Sequence, residues 1–433
     1  MSGEGNAPGG GVGVGLDDDQ LRARRAAARR RRLRERVAIR APLADVVRDR
    51  ALVHLPPAAA ARLRLVHPSW ARALASPLFA VAHAAAPRRL SGHFVPQAGF
   101  LHFDGADTVP SPSLGFLPAS SAVAVLSSTR GLACCFSPAD DAYFVCNPAT
   151  GAWAGVPSPP RRTWPRPAVV VLFDGGVYNF RGDYTLVCAF ESAPGSGTYC
   201  FAVFTSGAGA WWIADAIAPA EGLLPASGVA AGGAAWWRTS IGTAVGYNPV
   251  ARRVELAVCP GDSAQWEIGS AAGTLHCAVR ADGDVVVLRL DGGAHGGWEE
   301  AARVSVAEIL QPRPPEPAGL HTGAEDGAAG AIVAVAGVAR TTWMPYADVR
   351  LLPFQGAAVE VVVLAGRRVV AFDTAARRPR EAAVPEQPEG SDSAWDASEF
   401  TAHTNTLALV APAVLVREPA VTEPPDDPEL AFS

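Results

Sequence analysis

The side chains that could do chemistry are scattered along this 433-residue chain and form no recognisable motif. The nine histidines include no HxxxH or HExxH pair, which would place two imidazoles on one helix face for zinc. The seven cysteines include no CxxC pair, and no GxSxG sequence supplies a nucleophile elbow. The sequence therefore predicts no metal site, no cofactor and no catalytic residue.

Two small clusters come nearest to a site. Cys134 and Cys135 are adjacent in a run that predicts a strand, so their thiols should point to opposite faces and cannot easily share a metal. Carboxylates gather at Asp140–Asp141 and at Asp17–Asp19, but neither group has a glutamate at calcium-loop spacing. A catalytic set assembled from distant parts of the chain stays an alternative.

Two tryptophan pairs, Trp211–Trp212 and Trp236–Trp237, could stack against a ligand. In a strand, one member of each pair faces the core and the other faces the opposite side. Packing between sheets explains such pairs without a ligand, and we prefer that interpretation.

Composition and charge limit the class of protein. The net charge of −5 gives no reason to expect a nucleic-acid partner. No apolar run approaches the length of a membrane span, and no apolar segment follows a basic start, so neither membrane insertion nor secretion is expected. An odd number of scattered cysteines suits a reducing compartment. The expected location is therefore cytoplasmic, nuclear or both.

All 37 basic residues are arginines, so the printed sequence contains no lysine. Many of these arginines lie between Arg22 and Arg40, after a glycine-rich start that predicts disorder. The arginine run could be a nuclear import signal, a nucleic-acid arm or a solvated helix. The sequence leaves these three interpretations open.

Residues 43–86 have the spacing of short helices separated by prolines. Pro56 cannot continue a helix, so a first helix should end just before it. Pro57 suits the first turn of a second helix, Pro68 should interrupt that helix, and Pro77 should begin the last one. So few apolar residues cannot make a robust independent domain, and the segment should need a partner surface.

The order of residues in this segment resembles an F-box. The resemblance rests on Leu43, Asp45, Val47, Leu52, Leu55, Pro56, Arg62, Leu63, Val66, Ser69, Trp70, Ser76, Pro77 and Phe79. It implies docking onto a Skp-family adaptor, and through it onto a cullin, by apolar groups that are exposed in isolation. The adaptor-binding residues that it implies are Leu43, Val47, Leu52, Leu55, Pro56, Leu63, Val66 and Trp70.

From about residue 120 the sequence changes to short runs rich in valine and aromatic residues, which predict strands. A strand–turn–strand pattern recurs five times. Its turn residues are Asn147, Thr205, Asn248, Asp291 and Asp373, spaced 58, 43, 43 and 82 apart, the last near twice the basic period. Units of this length with an internal hairpin indicate roughly six or seven blades of a β-propeller.

Several of these runs resemble the F-box-associated, kelch-like β-propeller domains of plant F-box proteins. They include SSTRGLACC at 127–135, YFVCNPATGAWAGVP at 143–157 and AAGTLHC at 271–277. The expected fold class is therefore multi-domain, with a small all-α F-box unit followed by a large all-β propeller-like domain. The expected parts are a disordered arm (1–42), the F-box helical domain (43–86), a linker (87–119), the propeller (120–412) and an acidic, proline-rich tail (413–433).

The two resemblances together imply a substrate-recognition subunit of an SCF (Skp-cullin-F-box) ubiquitin ligase. Such a subunit is not catalytic, and its propeller would bind a target protein that the sequence does not identify. One alternative is a propeller scaffold with a decayed F-box, because Ala44, Ala51 and Pro68 depart from the usual family residues. A propeller enzyme with a polar cluster at its central channel is the other.

Overall fold

A computed structural model gives the structure of the protein. It describes residues 26–30, 47–96, 98–103, 109–111, 113–161, 166–173, 179–260, 265–291, 297–311, 349–385 and 395–412. The chain divides into two units, Met1–Val53 and His54–Ser433. In the first unit, residues 26–30 are helical and Val47–Ala51 form a turn of π-helix. A 3₁₀ turn at Leu52–His54 ends this helical stretch just before Pro56, as predicted.

Three short helices open the second unit. They are α1 (Pro57–Leu63), α2 (Pro68–Leu74) and α3 (Pro77–Ala85). Each begins with a proline, whose missing N–H would have had no partner in the first turn. The His67 ring caps α2 by accepting the Ser69 N–H at 3.1 Å, and Ser76 caps α3 by accepting the Phe79 N–H at 3.2 Å. The predicted separation of short helices by prolines is confirmed.

The strands of the second unit form six sheets among the described residues. The first sheet holds β1 (Gly92–Val95), β2 (Gly99–His102) and β24 (Thr401–His403). The second holds β3 (Ala124–Thr129), β4 (Leu132–Ser137), β5 (Ala142–Asn147) and β6 (Ala152–Val156). The third holds β7 (Ala168–Phe173), β8 (Tyr184–Glu191), β9 (Thr198–Thr205) and β10 (Trp211–Pro219).

The remaining three sheets continue in chain order. The fourth holds β11 (Val229–Ala231), β12 (Ala234–Arg238), β13 (Thr243–Asn248) and β14 (Arg253–Val258). The fifth holds β15 (Trp266–Ala271), β16 (Thr274–Ala281), β17 (Asp284–Leu290), β18 (Trp298–Ser305) and β20 (Phe354–Gly356). The sixth holds β19 (Val349–Leu351), β21 (Glu360–Ala365), β22 (Arg368–Asp373) and β23 (Arg378–Ala383). A one-turn helix, α4 (Val306–Ile309), follows β18.

The six sheets are the blades of a β-propeller. Within blades two to five, four consecutive strands pair antiparallel in chain order, as a meander does. An exception is β20, which runs parallel to β15 with Gly269 opposite Phe354. The count agrees with the lower of the two blade numbers that the repeat predicts.

The ring is closed by strands from both ends of the propeller. β24 pairs antiparallel with β1, placing His403 opposite Gly92 and Thr401 opposite Phe94. Blade one therefore combines an early hairpin with a late strand. Asn147 also connects blade two to the end of the chain, because its side-chain amide donates to the carbonyls of Thr406 at 3.1 Å and Ala408 at 2.7 Å.

The core lies between neighbouring blades, so the central strands are buried on both faces. Every residue of β4 is buried, and alternate side chains join different clusters. Cys134 packs in one apolar cluster with Val145 and Leu186, whereas Cys135 packs in another with Phe94 and Phe144. This alternation confirms that the two thiols point to opposite faces.

The repeat read from the sequence is the outer hairpin of blades two to six. Its five copies span β5–β6, β9–β10, β13–β14, β17–β18 and β22–β23. In three copies the turn begins with a side-chain oxygen that accepts a backbone N–H two residues later, namely Asn147, Asn248 and Asp373. These residues favour turns because their side chains replace a backbone acceptor.

Two expected boundaries need correction. The segment 87–119 is not simply a linker, because β1 and β2 lie within it and belong to the propeller, which therefore begins before residue 120. Their pairing partner β24 lies at the other end of the domain, so local sequence does not reveal them. Apart from residues 26–30, which are helical, the expected arm (1–42) and the tail (413–433) lie outside the described residues.

Candidate functional site

The helical segment at 43–86, which the structure describes from Val47 onward, is the candidate interaction site that the sequence singled out. Of the eight expected adaptor-binding residues, Pro56 and Val66 are exposed. Val47, Leu55, Leu63 and Trp70 are half-buried. Leu52 is buried, with 4% of its surface exposed, which corrects the expectation that all eight are exposed in the isolated chain. Leu43 lies outside the described residues.

Sequence reasoning missed two exposed apolar residues in the same segment. Leu65, just after α1, is 88% exposed, and Leu78, in the first turn of α3, is 67% exposed. Val66 beside Leu65 is 64% exposed. A signal for Leu65 was present in the sequence, because two exposed arginines, Arg62 and Arg64, come just before it. Exposed large apolar side chains of this kind are common at sites where another protein binds.

The buried face of α3 joins the helices to the propeller. Phe79, Val81 and Ala84 are buried on this face, and Ala84 packs with propeller residues such as Tyr143 and Ala411. The helices are therefore held against the propeller by an apolar contact.

His83 is the polar connection at the same place. Its Nδ1 accepts the Leu407 N–H at 3.1 Å, so its Nε2–H donates to the Leu55 carbonyl at 3.0 Å. This pair of contacts requires the neutral ring with its proton on Nε2. Burial, together with the nearby charge of Arg88, lowers the pKa of His83 to about 3. The ring therefore stays neutral at physiological pH.

Arg88 strengthens this junction. Its Nη1 donates to the carbonyls of His54 at 3.0 Å and Leu55 at 2.7 Å, just before α1. Its own carbonyl accepts the Ala357 N–H at 2.6 Å, next to β20. Burial lowers the pKa of Arg88 to about 10, which still leaves it charged at neutral pH. The start of α1 and the propeller are thus bridged by one residue, through its side chain on one side and its backbone carbonyl on the other.

The cysteines and Asp140, which were considered as candidates for metal binding or catalysis, lie among groups that stabilise the fold. All seven cysteines are free thiols, and burial raises the pKa of Cys134 far above its ordinary value. In the described part of the chain, no three side chains of His, Cys, Asp or Glu are grouped as metal ligands. Asp140 accepts the Ser120 hydroxyl, the Ser137 hydroxyl at 2.6 Å and the Ser120 N–H at 2.9 Å, and these hydrogen bonds lower its pKa. Asp17–Asp19 lie outside the described residues.

The tryptophan pairs pack between blades. Trp237 belongs to the cluster between blades three and four, while Trp236 belongs to the cluster shared with blade five. Trp211 is half-buried and donates its Nε1–H to the Pro157 carbonyl at 2.7 Å, whereas Trp212 is exposed on the opposite face. The preferred interpretation, packing rather than ligand stacking, accounts for three of these four rings.

Among the helices that the structure describes, none is long and apolar enough to cross a membrane. No known family model matches the sequence, and no curated protein matches it.

Several solved structures are similar to this chain at very low identity. The structure of BBS1N in complex with ARL6DN, soaked with mercury, is 11% identical over 62% of this chain and 66% of that chain, with a TM-score of 0.28. YCF48 bound to D1 peptide is 10% identical over 68% of this chain and 82% of that chain, with a TM-score of 0.33. Apo AztD from Citrobacter koseri is 12% identical over 66% and 77%, with a TM-score of 0.31. These similarities concern the fold alone.

Proposed function

We propose that this protein is a substrate-recognition subunit of an SCF-type ubiquitin ligase, of the plant F-box class with a kelch-like propeller. The observation that carries the proposal is the exposure of Leu65, Val66 and Leu78 on a helical segment that resembles an F-box. These side chains would be buried by a Skp-family adaptor, and the propeller would bind the target protein.

The junction between helices and propeller supports this role. Apolar contacts of α3, the two hydrogen bonds of His83 and the bridge of Arg88 fix the helices against the blades. A rigid connection would hold a bound target at a constant distance from the ubiquitin-charged enzyme, which raises the effective concentration of the two reactants. In this proposal the transfer chemistry belongs to other subunits.

A propeller scaffold with a decayed F-box is the second candidate. The burial of Leu52 favours it, because a buried leucine is not available to an adaptor in this conformation. The departures at Ala44, Ala51 and Pro68 point the same way. The two candidates differ in one property, which is adaptor binding.

A pulldown with purified Skp-family adaptor tests the proposal. We expect the native chain to bind, and we expect Val66→Asp and Leu78→Asp to lose most of the binding, because a charge would be buried without a partner. Both side chains are exposed, so the variants should fold. The matched control is Leu256→Asp, which changes another exposed leucine, in outer strand β14 of the propeller.

Two outcomes of this pulldown would count against the proposed adaptor-binding site. A folded native chain that captures no adaptor would favour the scaffold. Equal loss of binding in Leu256→Asp would mean that the effect is general and not a property of the helical segment. Circular dichroism of each variant would establish that the fold is retained.

The absence of lysine from the sequence makes a ubiquitin-transfer assay unusually clear. In a reconstituted reaction with this chain, we expect no ubiquitin on a lysine of the receptor itself, so every lysine conjugate must lie on a target or another subunit. Val250→Lys would add one amine at a side chain that is exposed on the propeller. Mass spectrometry of the conjugates, with and without this change, measures the difference.

A further inference from the structure

The turns at one end of the central channel have an unusual composition. In blades two, four and five, the innermost strand is joined to the next by a two-residue turn. The turn residues are Arg130–Gly131, Gly232–Gly233 and Ala272–Gly273, all with positive φ. Type I′ turns require this backbone and favour Gly, Asn or Asp. Blade two instead places an arginine there.

Backbone hydrogen bonds connect these turns around the mouth of the channel. The Gly232 N–H donates to the Gly273 carbonyl at 2.7 Å, joining blades four and five. The Ala272 N–H donates to the Gly356 carbonyl at 2.8 Å. The Thr406 hydroxyl donates to the Arg130 carbonyl at 2.7 Å, which fixes the turn that carries the arginine. The hydrogen-bonded turns therefore form a fixed frame around the mouth of the channel.

A cavity of about 350 Å³ lies inside this frame. One wall is the end of α3 with the residues just after it, including Ala84 and Pro87, and the other walls are formed mainly by residues at the ends of the innermost strands. The volume falls within the range of small-molecule sites, which is about 300–1,000 Å³. The cavity is thus large enough for a small metabolite.

Hydroxyl side chains contribute to the cavity wall, and among three of them the Thr404 Oγ1 is buried without a hydrogen-bond partner in the described part of the chain. The three belong to Thr129, Ser270 and Thr404, which are only 8%, 9% and 5% exposed. Buried hydroxyls nearly always have partners, because leaving one unpaired costs its full desolvation energy. A molecule in the cavity would supply the partner that the Thr404 hydroxyl lacks, and the Thr129 and Ser270 side chains line the same wall.

The charge in the cavity wall is positive. Arg130 is exposed at the mouth, and its Nη2 reaches over the turn at Gly273. No described ion pair involves Arg130, and no aspartate, glutamate or histidine is among the described residues of the wall. Arg88 adds a second positive charge, although its Nη1 is directed at the carbonyls of His54 and Leu55. The wall offers donors and positive charge, and no described group in it could act as a general acid or base.

We propose that this cavity binds a small organic molecule carrying an oxyanion, either a phosphate or a carboxylate. The Arg130 guanidinium pairs with the oxyanion, since its planar donors match both groups. The hydroxyls of Thr129, Ser270 and Thr404 donate to the remaining oxygens. The site is independent of adaptor binding, and it stands whether or not the chain belongs to a ligase.

Isothermal titration calorimetry of the full chain tests the proposal, with inorganic phosphate, glucose 6-phosphate and succinate as separate probes. We expect heat of binding with at least one probe, and the probe that binds distinguishes phosphate from carboxylate. Arg130→Asn should weaken that binding by about tenfold or more. Asparagine tolerates positive φ, so this variant should keep the turn.

Arg252→Asn is the matched control, because Arg252 also has a positive φ of 52° but lies in the outer turn of blade four. Its binding should equal that of the native chain. Ser270→Ala gives a second, smaller loss without changing charge. Absence of binding for all three probes in a folded chain would overturn the proposal, and so would equal binding by native and Arg130→Asn proteins.

Discussion

Replacing Trp237 by alanine is expected to lower the free energy of unfolding of the propeller by about 3–5 kcal/mol. The ring is fully buried between blades three and four. It stacks on Phe201 at 6.2 Å between ring centroids, and Phe201 in turn stacks on Tyr247 at 4.7 Å. Alanine would leave a cavity that strands of two blades cannot easily fill. Urea denaturation followed by far-UV circular dichroism measures the loss.

Trp212→Ala is the control for this prediction. Trp212 is 37% exposed on outer strand β10, where Arg252 lies 5.6 Å above its ring. Its removal should cost no more than about 1 kcal/mol, because an exposed cation–π contact contributes little. Equal losses in the two variants would contradict the assignment of Trp237 to a core between blades.

Acidification is expected to destabilise the propeller strongly through three buried histidines. Burial lowers the pKa of His83 and His403 to about 3 and that of His93 to about 4, from an ordinary value of 6.5. The unfolded chain therefore takes up protons before the folded chain as the pH falls. Stability is full above pH 6.5 and decreases between pH 6.5 and the low pKa values.

The expected loss between pH 8 and pH 5 is about 2 kcal/mol for each histidine, or about 6 kcal/mol together. A typical domain has only about 5–15 kcal/mol of stability, so this loss is a large fraction of the total. Urea titrations at several pH values measure this slope.

The variant His83→Gln should make the slope shallower, because one of the three titrating groups is removed. The glutamine amide can still donate to the Leu55 carbonyl. Leu256→Gln, which changes an exposed side chain that has no titrating group, is the control and should leave the slope unchanged. An unchanged slope in His83→Gln would show that His83 does not supply the expected part of the acid sensitivity.

The parts of the fold that could be predicted from sequence are those set by local residues. The outer hairpins were found because Asn147, Asn248 and Asp373 form turns with their own neighbours. The starts of α1 and α3 could be predicted because a proline suits the first turn of a helix. Blade one was missed, because β1 and β24 are paired across nearly the whole domain.

The candidate site was less predictable, because exposure depends on tertiary packing. The resemblance to an F-box placed Leu52 with the binding residues, yet it is buried, while Leu65 and Leu78 are exposed outside the expected set. The hydroxyls of Thr129, Ser270 and Thr404 come from three distant segments. They meet only because the strands carrying them converge on one channel, which no local pattern shows.

The closing strand has a consequence for synthesis on the ribosome. The β1–β2 hairpin leaves the exit tunnel early, but β24 follows about 300 residues later, which takes about 15–60 s at ordinary rates of translation. During that interval the nascent hairpin has an unpaired strand edge, which is a surface prone to aggregation. Molecular chaperones that shield such edges should therefore associate with this protein during translation and leave only after residue 403 has emerged.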